Sequence, residues 1–204
     1  MSDIYQERYL AHQEKKKEQL AYSIGEPFTK HTRSDLNTLN RLLKSRRSQR
    51  VFTSEEVTNE ELLEILEAST IAPSSCNRHG IRIKVVTDRD NKALLSGILV
   101  GGVGWIQRAS AIILFLADTE AYKSPSEKRF MPYCDVGFTA MSMWLKAEAL
   151  DIGCAYINPN IREEHKEIFY TAFPQGLFVG ALAIGKYDTK AKKANRPLLS
   201  EIIL

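Results

Sequence analysis

Ala111-Ile112-Ile113-Leu114-Phe115-Leu116 is an unbroken apolar run of six residues. A run so short and partly β-branched reads as a strand buried on both faces, and falls far below the ~18 residues of a membrane span. Upstream, Ile81-Arg82-Ile83-Lys84-Val85-Val86 alternates and predicts a second strand, with a helix over 90–99 between the two. Downstream, a long helix is expected over 132–150, carrying Phe138, Met141, Trp144, Leu145 and Ala149. Gly137, Ala140 and Ser142 on it are small enough to let another helix approach closely. A short strand over 154–157, a helix over 161–173 capped by Asn160, and a last strand over 177–184 complete the alternation.

Earlier in the chain, Leu36, Leu39, Leu42 and Leu43 recur with helical period behind Ser34 or Asp35 as N-cap. Thr58-Asn59-Glu60-Glu61 reads as a capping box opening a helix with the stripe Leu62, Ile65, Leu66 and Ser69, which Pro73 ends. Residues 1–33 differ. They are polar, carry Lys15-Lys16-Lys17, and space Tyr5, Tyr9, Leu10 and Leu20 loosely as one amphipathic helix, followed by a loop around Gly25 and Pro27. Strands scattered among more numerous helices make this a mixed α and β chain, not a sandwich. The chain divides into a helical extension over 1–33 and one domain over 34–204.

Composition narrows the function classes. In 204 residues, 44% are hydrophobic and 26% charged, the balance of an ordinary globular protein. Lys and Arg total 28 against 25 Asp and Glu, so a net charge of +3 gives no case for a nucleic-acid partner. The first residues lack the apolar segment of a signal peptide, and no run is long enough for a membrane partner. Three widely spaced cysteines, Cys76, Cys134 and Cys154, fit a reducing interior, so a cytoplasmic location is expected.

Most catalytic patterns fail. Gly102-Val103-Gly104 precedes a strand instead of following one, and Gln107 stands where a dinucleotide fingerprint needs its third glycine. Cys76 and His79 have half of a zinc spacing without a second close pair, so no metal is expected. No acid orients His79 to activate a thiol, and neither a serine elbow nor a carboxylate pair is present. The anomaly is basic. Between Arg41 and Arg50 stand five cations and no acid, and Lys192-Lys193-Ala194-Asn195-Arg196 forms a second group. Arginine offers a planar fork suited to phosphate and Ser48 adds a hydroxyl, so the two groups can converge on one phosphate.

These segments together resemble the nitroreductase family of FMN-dependent oxidoreductases. Arg46-Arg47-Ser48-Gln49-Arg50-Val51-Phe52 is similar to the family's opening motif, and Ala72-Pro73-Ser74-Ser75-Cys76-Asn77 to its following loop. Asp135-Val136-Gly137, the helix exit through Gly153, the strand ending in Gly185, and Arg196-Pro197-Leu198 match in order. The resemblance covers about residues 36–204. It implies an α+β fold with a central, mostly antiparallel sheet surrounded by helices, and a homodimer built along the long central helix with FMN at the interface. Residues 34–204 would then be the FMN-binding domain.

By the same resemblance, Arg46, Arg47, Ser48 and Arg196 would bind the FMN phosphate and ribityl chain. Arg50 would sit at the pyrimidine edge, where positive charge favours reduced flavin. Pro73, Ser74, Ser75 and Asn77 would come from the partner subunit. Gly102, in the turn Gly101-Gly102-Val103-Gly104, would offer backbone N–H groups to the pyrimidine. Asn158 would donate to flavin N5, since Pro159 has no N–H. His79, Trp105 and Tyr156 would face the substrate. The implied activity passes hydride from NAD(P)H through flavin N5 to an electron-poor small molecule, a nitroaromatic or a quinone. With the chemistry carried by flavin, no catalytic side chain is required. Two alternatives stand beside this reading. One is a flavin enzyme of the same fold performing dehalogenation, dehydrogenation or flavin destruction. The other is a non-catalytic protein binding flavin or another phosphorylated ligand.

Overall fold

The structure, a computed structural model, describes residues 3–22 and 29–203. The loop expected around Gly25 and Pro27 lies outside the described residues. Packing groups Met1–Thr38 as one unit and Leu39–Leu204 as another. In the first unit, α1 (Asp3–Tyr22) is a polar helix that exposes Tyr9 and Leu10. The next helix, α2 (Arg33–Ser45), starts one to two residues before the expected cap. Thr32 takes that role: its Oγ1 accepts from the Asp35 N–H at 3.2 Å, and its own N–H donates to the Asp35 carboxylate at 2.7 Å. No residue of α2 is buried, and Leu36, Leu39 and Leu43 are exposed.

In the second unit, the Thr58–Glu61 capping box opens α3 (Asn59–Glu67) as expected. Pro73 does not end this helix. The hydroxyls of Ser69 and Thr70 fold back onto the carbonyls of Leu66 and Glu67 and close it earlier. Four strands follow: β1 (Ile81–Val86), β2 (Ala111–Ala117), β3 (Gly153–Ile157) and β4 (Leu177–Gly185). They form one antiparallel sheet in the order β1-β2-β4-β3. All seven residues of β2 are buried, which is the meaning of its unbroken apolar run.

Helices cover both faces. α4 (Arg89–Ile98) and α6 (Lys166–Ala172) place Leu95, Ile98 and Phe169 on one face, against Ile112, Leu114, Leu116 and Phe178. α3 and α5 (Pro125–Ala149) place Ile65, Val136, Ala140, Met143 and Ala147 on the other, against Ile113, Phe115, Leu182 and Ile184. A bulge on β4 at Val179 and Gly180 reverses which side chains face which layer. Gly180 has φ of 145°, and a Cβ there would collide with the Tyr156 hydroxyl.

Two further helix boundaries differ from the sequence expectation. α5 begins at Pro125, because Ser124 and Glu127 form a second capping box with proline at the first turn. Pro132 lies inside the helix and is buried. The helix expected over 161–173 is a 3-10 turn, Glu163–His165, leading into the shorter α6. Asn160 caps neither: its carbonyl accepts from the Val100 N–H at 3.1 Å, and Ile161 bridges Leu99.

Candidate functional site

Past α2 the chain runs along β3, an edge strand of the sheet. Ser48 forms a parallel bridge with Cys154, and the Gln49 N–H donates to the Cys154 carbonyl at 2.8 Å. The tail beyond β4 returns to this segment, fastened by the buried Gln49 amide. Its Nε2 donates to the carbonyls of Val51 and Thr189, while its Oε1 accepts from the Ala191 N–H. The two basic groups thereby become the walls of one cavity of about 610 Å³. Lys44, Arg46, Arg47, Arg50, Lys192, Lys193 and Arg196 line it with Ser48, and no acid does.

Arg46 stands out among these cations. Its guanidinium carbon lies 4.3 Å from the centre of the Trp144 ring, and its Nη1 is buried without a hydrogen-bond partner. Burial, then the charges of Arg196 and Arg47, lower its pKa. Glu148, a buried acid near it, is engaged elsewhere: one carboxylate oxygen accepts from the Ser45 hydroxyl and from Lys190 Nζ. Arg47 is partly structural. Its Nη1 donates to the carbonyls of Lys44, Ser45 and Arg46 and so closes the end of α2.

Arg50 leads from the basic cavity toward the sheet face that carries α4. Its guanidinium lies 5.8 Å from the Trp105 ring centre, and Trp105 in turn lies 6.2 Å from Phe52. The Trp105 indole N–H donates to the Gly101 carbonyl, and the bond from Val100 to Asn160 brings this glycine turn beside residues 158–161. Asn158 is exposed at the end of β3. Gly102 does not present a free donor: its N–H is spent on the Leu99 carbonyl at 2.8 Å. Its lack of a side chain serves packing, since a Cβ would lie 2.6 Å from Ile106.

The loop carrying Pro73, Ser74, Ser75, Asn77 and His79 leads into β1 at the opposite edge of the sheet. Cys76, Asn77 and His79 have φ of 50°, 56° and 48°, a left-handed cluster that needs support from outside the loop. Buried Asp135 supplies it, accepting the Ser75 N–H and the Tyr122 hydroxyl, each at 2.9 Å. Arg78 pairs with Glu127 at 2.7 Å, and the Ser74 hydroxyl accepts the His79 N–H. Pro73, Ser74 and His79 line a separate cavity of about 320 Å³ that shares no residue with the basic one. Three strand spacings of ~4.8 Å separate the edges, so one copy does not bring the two groups together.

A family model described as the nitroreductase family matches residues 43–104 and 98–186, which take in Lys44 to Arg50 and the loop of residues 73–79. The chain belongs to the nitroreductase family. It is 31% identical over 182 residues to an FMN reductase [NAD(P)H] of Bacillus subtilis, covering 79% of this chain and 71% of that protein. Among solved structures it resembles a protein assigned as a nitroreductase, in complex with FMN, from Desulfovibrio desulfuricans. The TM-score is 0.70 and the identity 27%, over 86% of this chain and 97% of that one. An FMN-dependent nitroreductase from Clostridium difficile matches with a TM-score of 0.65 and 25% identity, over 76% and 90% of the two chains.

Within this nitroreductase fold, the three residues expected on the substrate side lie apart. Trp105 packs on the α4 face, His79 on the loop before β1, and Tyr156 on the α5 face. The Tyr156 hydroxyl donates to the Val179 carbonyl at 2.9 Å, and burial raises its pKa to about 12. Tyr156 is therefore a packing residue, not a partner of Trp105. Sequence reasoning missed Gln49, Trp144, Glu148 and Asp135. An uncharged amide among arginines, and acids within a long helix, were the available signals. The three cysteines are free, and among the described residues no cluster of metal-ligating side chains exists. Among them, too, no helix is long and apolar enough to cross a membrane.

Proposed function

We propose that this nitroreductase-family protein is an FMN-dependent NAD(P)H oxidoreductase that reduces electron-poor small molecules of the nitroaromatic or quinone type. The observation that carries the reading is Arg46: a buried guanidinium nitrogen without a partner, in a wall of seven cations and no acid. Such a nitrogen calls for an anionic acceptor, and a phosphate monoester supplies one. Bound there, FMN would supply the redox chemistry, taking hydride from NAD(P)H and passing reducing equivalents to the acceptor.

The chain supplies the rest. Arg46, Ser48 and Arg196 hold the phosphate, with Arg47 behind them securing the end of α2. Arg50 sets positive charge toward the pyrimidine edge, and Trp105 fixes the direction of that guanidinium. The backbone around Gly101 and Asn158 lies beside them. The loop of residues 73–77 completes the site from a second copy, because its own strand edge lies across the sheet. Exposed Leu39 and Leu43 on α2, and Phe130, Tyr133, Phe138 and Met141 on α5, offer apolar area for that copy to cover. Three free thiols fit a reducing, cytoplasmic setting.

The test is the absorbance spectrum of the purified full chain before and after anaerobic addition of NADH or NADPH. A flavin spectrum that bleaches, and recovers with a nitroaromatic or quinone acceptor, is the expected result. A colourless protein that takes up no FMN would overturn the reading.

A further inference from the structure

We infer that Trp144 is a positioning residue that sets the protein's discrimination between phosphorylated and unphosphorylated flavin, by holding the Arg46 guanidinium beneath the phosphate site. The inference rests on the FMN reading above. Three observations carry it. The guanidinium carbon of Arg46 stands 4.3 Å from the Trp144 ring centre, within the range of a cation–π contact. The same guanidinium has a buried nitrogen with no partner. Glu148, one helical turn beyond Trp144 on α5, is held by Ser45 and Lys190 and forms no ion pair with Arg46.

The combination is physically specific. A half-buried arginine is normally paired with a carboxylate, which satisfies its charge and occupies its fork. Here the ring face adds to the favourable charge of nearby Glu148 and takes none of the N–H donors. The guanidinium is thus held in place and partly desolvated with its hydrogen-bonding edge free. An aliphatic residue at 144 would fill space but remove the attraction of the ring face, leaving the Glu148 charge as the pull on the cation. Arg46 would then be free to turn toward the Glu148 carboxylate or toward water, and the phosphate would lose a preset donor. A flavin without phosphate would not sense the change.

The experiment measures the affinity of the full chain, freed of flavin by dialysis, for FMN and for riboflavin, in wild type, Trp144→Phe and Trp144→Leu. Wild type should prefer FMN strongly. Trp144→Leu should weaken FMN by about tenfold, with Trp144→Phe between, following the ranking of ring strengths. Riboflavin affinity should change less than about twofold. In an Arg46→Gln background the Trp144→Phe effect should vanish, as expected when one residue acts through the other. FMN and riboflavin weakening together would make Trp144 a general packing residue and overturn the inference. An unchanged FMN affinity would overturn it too. If Trp144→Leu does not fold, the Phe variant and its cycle with Arg46→Gln decide alone. A wild-type chain that binds no FMN sinks the functional reading itself, whereas an insensitive Trp144 in an FMN-binding chain sinks only this step.

Discussion

Gln49 and Thr189, 140 residues apart in sequence, are joined by a hydrogen bond of 3.0 Å from the buried Gln49 amide. With the bonds to Val51 and Ala191, this one side chain makes a cavity wall out of what is otherwise a basic tail. Gln49→Ala should therefore act on both stability and cofactor. Two carbonyls and one N–H lose a buried partner, at a cost of ~1–3 kcal/mol for an unsatisfied group. Flavin affinity should fall with Tm, and limited trypsin digestion should cut sooner at Lys192 or Lys193. Unchanged proteolysis with lowered Tm would show that the tail is held by other contacts.

The elements that the sequence made legible were those with a local cause. The apolar run over 111–116 had only one buried reading, and Thr58 with Glu61 formed the box that its spacing announced. Pro132 resembles a helix start and shortens the expected range of α5, while Ser124-Pro125-Ser126-Glu127 is the stronger start. The two basic groups were visible, but their meeting was not. It depends on Gln49, which in sequence looks like a spacer between arginines. The layer that Tyr156 meets is hidden in the sequence for a related reason. Alternation says that it faces opposite to Ile157, yet not which layer either one meets.

The division of the proposed site across the sheet makes a complementation test available. Arg46→Gln disables the phosphate wall, and Asn77→Ala alters the loop at the other edge. Each variant alone should lose flavin-dependent turnover. Co-expressed, mixed dimers would hold one intact site each, returning roughly a quarter of wild-type activity if subunits pair at random. No recovery from mixed dimers that are shown to form would place both groups in the site of a single copy.

Asp135 carries the loop through two acceptor atoms, one for the Ser75 N–H and one for the Tyr122 hydroxyl. Burial, then the bond to Asp135, pushes the Tyr122 pKa upward, so the phenol stays a donor at all working pH values. Asp135→Asn replaces one acceptor oxygen by an N–H₂ group that must face a donor. The expected loss is ~1–3 kcal/mol of stability, read as a lower Tm, together with faster hydrogen exchange at Ser75. Equal exchange in variant and wild type would mean that the left-handed turns at Cys76, Asn77 and His79 support themselves.

The pair formed by Glu61 and Lys186 predicts a defined acid limb. The Glu61 carboxylate accepts from Lys186 Nζ and from the Thr58 N–H, tying the start of α3 to the end of β4. Lys186 first, and then the Thr58 backbone, hold its pKa below the ordinary glutamate value of 4.5. A folded carboxyl that binds protons more weakly than the unfolded chain stabilises fully above the ordinary value. That contribution is lost as pH falls through the lowered one. Glu61→Gln should therefore melt below wild type at pH 7, and the two melting curves should converge as pH drops below 4.5. Both side chains are mostly shielded, at 26% and 20% exposure, so added salt should narrow the gap only slightly. A glutamine can still accept the Thr58 N–H but cannot answer the charge of Lys186, so a gap that stays constant with pH would show that the ion pair is not its source.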